Sequence, residues 1–302
     1  MYFKSQFAKQ KSSTSANPAT PTRTDISSSL RKVLSLAAAS VMAAGLVTSA
    51  DASTAHADEA VTPASAGTAP VASPAGPAPG TLLDATPAPH LLNLAGPQLP
   101  GAAQRIRYAS VDSNGAPVEV TGYVIEPGAP WHGNGPTPTV VMAPGTRGSS
   151  DQCAPSNAPD LISALNVQPN ASGQPYLSLN ANYELPLQYL ANATGMRIIS
   201  TDYMGMGTPG HHTYVNSEEE AHAVLDAARA GLHAAGAPAD SPVGFAGYSQ
   251  GGGAVAAAAE YHATYAPELN LVGTFAGAPP ADLRQVLESV DGSSIVAALG
   301  YT

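Results

Sequence analysis

Cysteine is all but absent. The 302-residue chain contains one, Cys153, which excludes a self-contained disulfide framework and a cysteine-rich zinc site. Basic residues are scarce, and no lysine follows Lys32. Six of the 12 basic side chains (Lys4, Lys9, Lys11, Arg23, Arg31 and Lys32) fall within the first 57 residues. Residues 58–302 are left with six basic against 20 acidic side chains. Such a surface repels phosphate backbones and anionic headgroups, so no nucleic-acid partner is expected. The eight histidines never recur at H-x-x-x-H or H-E-x-x-H spacing, so neither a catalytic metal nor any other cofactor is expected. Beyond residue 50 no apolar run is long enough to span a bilayer. What is plentiful is apolar surface: 44% of residues are hydrophobic, enough for a real core, and a wholly disordered chain is excluded.

The N-terminus reads as an export signal over residues 1–57. Arg31-Lys32 precede the apolar run VLSLAAASVMAAGLVTSA (33–50), and Ala55-His56-Ala57 fits a small-residue cleavage site. An uncleaved anchor is the competing reading, but the run is Ala-rich and weakly hydrophobic. The mature chain is expected outside the cytoplasm and without a transmembrane anchor. Residues 58–80 are nearly all Ala, Pro, Gly, Ser, Thr and Val, and read as an extended linker.

Residues 81–302 alternate strands with helices. β-rich segments at 104–111 and 117–125 flank Asn114-Gly115, a strong hairpin signal. Short apolar runs at 137–143, 196–201, 242–247 and 270–276 suit buried strands, with Asp202 standing at the carboxyl end of the second. A long polar loop is expected after Pro144-Gly145. Helices are expected at 182–193, with Leu185, Leu187, Tyr189 and Leu190 near one side, and at 254–263 and 282–290. Another helix begins at the S-x-x-E box of Ser217 and Glu220, with Ala221, Val224, Leu225, Ala228 and Leu232 on its apolar face. Glu218-Glu219-Glu220 reads as its acidic first turn, and His222 and His233 as surface residues. The alternation is that of an α/β fold, a mostly parallel sheet with helices on both faces, whose active groups collect at the carboxyl ends of the strands.

Gly247-Tyr248-Ser249-Gln250-Gly251 matches G-x-S-x-G where a strand turns into an Ala-rich helix. In that context the turn projects the Ser249 hydroxyl above the sheet. The glycines Gly247 and Gly251 allow neighbouring backbones to pass, and the helix N-terminus stabilises developing negative charge. Ser249 is the candidate nucleophile, and the backbone N–H of Gln250 a candidate oxyanion donor.

The stretch from Tyr248 to Gly273, with TDYMGMGTPGHHTYV (201–215), DQCAPS (151–156) and PGTLL (79–83), resembles the secretory lipases of the lipase A type, an α/β-hydrolase family. The resemblance covers about residues 74–302. It implies an α/β-hydrolase fold and an ester or triacylglycerol substrate, with no protein partner. It also implies that Ser249 forms an acyl-enzyme and that Asp202 supplies a second oxyanion donor. Read without the resemblance, Asp202 is equally an Asp capping a loop. The family's cysteine in the DQCAPS stretch pairs with one in a cap; a lone buried thiol is the other reading of Cys153.

The triad order in this fold is Ser, then Asp or Glu, then His. After Ser249 the only histidine is His262, about 20 Å along the same helix. The triad Asp and His are thus expected to be missing, and the chain to lack the fold's C-terminal part and its cap. His211-His212 lie in a loop near the carboxyl end of a strand, either as a rescue base or as a polar loop feature. His90 and His132 fall in Pro/Gly-rich loops. Two functions remain: a secreted ester hydrolase acting through Ser249, or a non-catalytic hydrolase relative that at most binds lipid or a partner.

Overall fold

The computed structural model describes residues 76–88, 101–148, 151–157, 162–169, 175–181 and 184–291. The export signal, nearly all of the linker and His90 lie outside the described residues.

Asp112 makes the first turn. Its Oδ1 accepts from the N–H groups of Asn114 and Ala116, and Gly115 adopts φ +77°. This closes β2 (Ala103–Val111) onto β3 (Pro117–Ile125), with Tyr108 opposite Val120, as the Asn-Gly signal implies. β1 (Leu82–Pro87) pairs antiparallel with β2, and β3 antiparallel with β7 (Arg197–Thr201). From β7 onward the sheet is parallel, through β4 (Thr139–Ala143), β8 (Val243–Tyr248) and β9 (Leu271–Gly277). The seven-stranded order is β1-β2-β3-β7-β4-β8-β9. Every residue of β4 and β7 is buried, as expected of parallel strands covered on both faces.

The period-2 alternation decides which residue serves which layer. Val141, Ile199 and Phe245 point to the layer of α2 (Ser217–Ala234) and α3 (Gln250–Tyr265). Val140, Met142 and Ile198 point to the opposite layer, under α1 (Leu185–Ala193). A final helix, α4 (Leu283–Val290), begins at an N-cap in which Asp282 accepts from the N–H groups of Arg284 and Gln285.

Three local expectations are corrected. The N-cap of α2 is Asn216, one residue before the expected Ser217; its side chain accepts from Glu219 N–H and its own N–H donates to Thr213 O, so no Ser217–Glu220 box forms. Glu218, Glu219 and Glu220 do form the acidic first turn, and Glu219 and Glu220 are buried there. His222 is buried too, because α2 is covered by the sheet and by α3 together; its ring stacks on Tyr265 at 4.2 Å and its Nδ1 lies 3.1 Å from Val111 O. On α1 the buried face runs through Leu187, Gln188, Ala191 and Asn192, leaving Tyr189 exposed. The long loop after β4 also contains a two-stranded hairpin, β5 (Ile162–Pro169) with β6 (Pro175–Ala181), in which Leu165 stands opposite Leu179.

Candidate active site

β8 ends at Tyr248 and α3 begins at Gln250, so Ser249 takes the whole turn between them. It does so at φ 57°, ψ −122°, a conformation that costs a non-glycine residue about 1–3 kcal/mol. Its N–H donates to Gly277 O at 2.9 Å, and its carbonyl accepts from Gly253 N–H at 3.1 Å. Among the described residues, the other non-glycine residues at positive φ are Tyr203, Val215 and Ala278. Tyr203 lies two residues beyond β7 and Ala278 directly follows β9, so backbone strain gathers at the carboxyl edge of the parallel strands.

The two motif glycines are required by space. A Cβ on Gly247 would lie 2.1 Å from Gly251 O, and one on Gly251 would lie 2.0 Å from Ala143 O. Gly252 is equally confined, 2.2 Å from Gly277 O. The first turn of α3 thus seats on the ends of β4 and β9 while growing out of β8. As the first residue of α3, Gln250 has an N–H with no intrahelical acceptor. Among the described residues no hydrogen bond to the Ser249 hydroxyl is found.

Two loops border the turn. The first follows β4. Glu184, the N-cap residue of α1, holds it by accepting from Gly145 N–H at 2.8 Å and from Arg147 Nη2 at 2.8 Å. The second loop, residues 202–216, follows β7. It meets the first where Tyr203 Oη donates to Pro144 O at 2.7 Å and where Tyr214 Oη lies 2.7 Å from Thr146 Oγ1. It meets α3 where Gln250 Nε2 lies 2.8 Å from His212 Nε2. Gln250 Nε2 also donates to Glu220 Oε1 at 2.7 Å. Burial raises the Glu220 carboxyl to about 7 and lowers His212 below its ordinary value.

Asp202 is tied into the fold through its backbone and its side chain. Its N–H donates to Thr121 O at 2.8 Å. Its Oδ1 accepts from Ser156 N–H at 2.8 Å; its Oδ2 accepts from Thr121 Oγ1 at 2.6 Å and from the Ser156 hydroxyl. With that N–H committed, Asp202 serves as a fully buried anchor tying residues 151–157 to β3. Burial also pushes its carboxyl upward against these hydrogen bonds. Sequence reasoning missed this anchor and the Glu220–Gln250–His212 cluster. The S-x-x-E spacing drew attention to Glu220, but as a cap.

The remaining histidines among the described residues are not gathered at the turn. His262 Nε2 lies 2.9 Å from Leu269 O in the last turn of α3. His211 and His233 are exposed. Cys153 is half-buried against the α2–α3 core layer, beside Gly148.

A parallel sheet with helices on both faces and a strained serine turn at the carboxyl end of β8 defines the α/β-hydrolase fold. Among solved structures, Candida antarctica lipase A in its closed state superposes with a TM-score of 0.59 at 24% identity, over 73% of this chain and 47% of that one. The family model described as secretory lipase matches residues 172–301. Lipase A of Moesziomyces aphidis is 33% identical over 98 residues, 32% of this chain and 20% of that protein. A probable inactive lipase of Mycobacterium tuberculosis is 40% identical over 77 residues, 25% of this chain and 17% of that protein. The chain thus spans about half of the solved lipase and a fifth or less of these curated relatives.

Proposed function

We propose that this chain supplies the nucleophile and oxyanion donors of a secreted carboxylic ester hydrolase of the triacylglycerol lipase type. The observation that carries the reading is Ser249, held at φ 57° between β8 and α3 with an N–H of the helix end beside it. In the reaction, Ser249 Oγ attacks the ester carbonyl carbon and its proton passes to a general base. The carbonyl oxygen becomes an oxyanion resting on the Gln250 N–H. The alcohol leaves with a proton, and water then hydrolyses the acyl-enzyme to free acid and serine. A second N–H comes from the loop after β4, beyond Gly145, because Asp202 N–H is committed to Thr121 O. Removing one such donor lowers the rate about 10²–10³-fold.

His212 is not the base. Gln250 and Met204 O occupy both its ring nitrogens, and the base and its orienting carboxylate are not among the described residues. Export through residues 1–57 would bring the enzyme to extracellular esters. No helix among the described residues is long and apolar enough to cross a membrane.

A second reading, a non-catalytic lipase relative that binds lipid or a partner, is favoured by the lack of any hydrogen bond to the Ser249 hydroxyl among the described residues. Hydrolysis of p-nitrophenyl esters by the purified chain separates the two. Turnover that Ser249→Ala abolishes supports the hydrolase. Vesicle binding by a folded chain without turnover supports the alternative.

A further inference from the structure

Gln250 is 3% exposed, and the chemistry of its side chain is over-determined. The amide nitrogen has two hydrogens and no acceptor capacity. One hydrogen goes to Glu220 Oε1 at 2.7 Å and the other points to His212 Nε2 at 2.8 Å. His212 Nε2 is therefore the acceptor, and the imidazole proton sits on Nδ1, 3.1 Å from Met204 O. The His212 ring stacks on Tyr203 at 5.6 Å and meets Tyr214 edge-on at 6.1 Å. Through their hydroxyls these two tyrosines contact the loop after β4. Glu220 is held in turn by Val215 N–H at 3.0 Å. One chain of contacts therefore runs from α2 through the first residue of α3 to the other loop bordering Ser249.

We propose that Glu220 and His212 are positioning residues for the Ser249 reaction: they clamp the Gln250 side chain from two sides and so fix the Gln250 backbone N–H that receives the oxyanion. The inference rests on the hydrolase reading above. Neither residue touches substrate. Each acts through Gln250, whose side chain and N–H share one rigid helix end.

The clamp has a built-in dependence on protonation. With Glu220 ionised, Gln250 Nε2 donates to both neighbours. With Glu220 protonated, its hydroxyl seeks an acceptor, the amide turns its oxygen inward, and the contact to His212 requires a proton on Nε2. Glu220 is bonded by Gln250 Nε2 and Val215 N–H, the charged group coupled to His212 is Glu219, and the Glu219 carboxylate is held by Ser113 and Thr213. Among the described residues no Lys or Arg is bonded to Glu220. Its carboxyl titrates at about 7, so the charge-assisted clamp forms as pH rises through neutrality.

The test is the rate at which a fluorophosphonate labels Ser249 in the full chain, compared among wild type, Glu220→Gln, His212→Ala and Gln250→Met. Gln250→Met keeps the backbone N–H and the side-chain volume. Each variant's fold is checked by circular dichroism and melting. Glu220→Gln mimics the protonated carboxyl. It should match wild type near about pH 5.5 and fall about fivefold or more behind near about pH 8.5. His212→Ala and Gln250→Met should label about tenfold more slowly, a fraction of the full donor loss. A ratio of Glu220→Gln to wild type that stays constant with pH, or Gln250→Met labelling within about twofold of wild type, overturns the proposal while leaving the hydrolase reading intact. A folded wild type whose Ser249 is never labelled overturns both, since no reactive serine is left to serve.

Discussion

Gly251 and Gly253 look alike in the sequence and differ in space. A Cβ at Gly251 meets Ala143 O at 2.0 Å, whereas one at Gly253 meets only Pro280 Cδ at 3.2 Å. Gly251→Ala should therefore unfold the turn or cost more than about 3 kcal/mol, and Gly253→Ala should stay within about 1 kcal/mol of wild type; urea denaturation of both checks this. Asp202→Ala leaves Thr121 and the Ser156 N–H without their buried acceptor, and should cost about 3 kcal/mol by the same measurement. The motif glycines were legible because a strand-to-helix serine turn leaves room for nothing larger. Asp202 was legible as a residue at a strand end. Its real partners, Thr121 and Ser156, are distant in sequence and meet only through the β3–β7 pairing and the 151–157 turn. No local pattern announces them.

At the scale of elements, α2 concentrates what the sequence showed and what it hid. Its apolar face was readable from Ala221, Val224, Leu225, Ala228 and Leu232, all of which are buried. The burial of His222, Glu219 and Glu220 was not readable, because it depends on α3 closing over a second face of the same helix. Strands β2, β3, β4, β7, β8 and β9 were found by their β-rich or apolar runs, whereas β1 and the β5–β6 hairpin were missed because polar residues interrupt their segments. Burying Glu220 has a thermodynamic consequence. Its carboxyl rises from 4.5 to about 7, so between these values the folded state binds the proton more tightly than the unfolded chain. The Glu220 contribution favours the folded state below about pH 4.5 and is lost as pH rises toward 7, to a total of ~3 kcal/mol. Glu220→Gln should flatten that part of the stability–pH curve, as melting temperatures across the window will show. A persistent wild-type slope in the variant would assign it to other buried carboxyls, such as Asp226.

Across the whole molecule, the parallel half of the sheet ends at β9, which among the described residues is paired only on its β8 side. Every β9 residue is half-buried, and Leu283 and Leu287 of α4 are 47% and 53% exposed. A strand edge left open among the described residues, together with two exposed leucines on α4, invites self-association. The purified chain should elute earlier from gel filtration as its concentration rises, and Leu287→Lys should shift it back toward the monomer. The sheet order places the ends of β4, β8 and β9 around one turn, and the reading of function rests on that convergence. It is tested most directly by intact-mass and peptide mapping of the chain after incubation with a fluorophosphonate. A single adduct on Ser249, absent from a folded Ser249→Ala chain, is the expected result. A folded chain that stays unmodified, or takes the adduct at another residue, contradicts the assignment of Ser249 as the nucleophile.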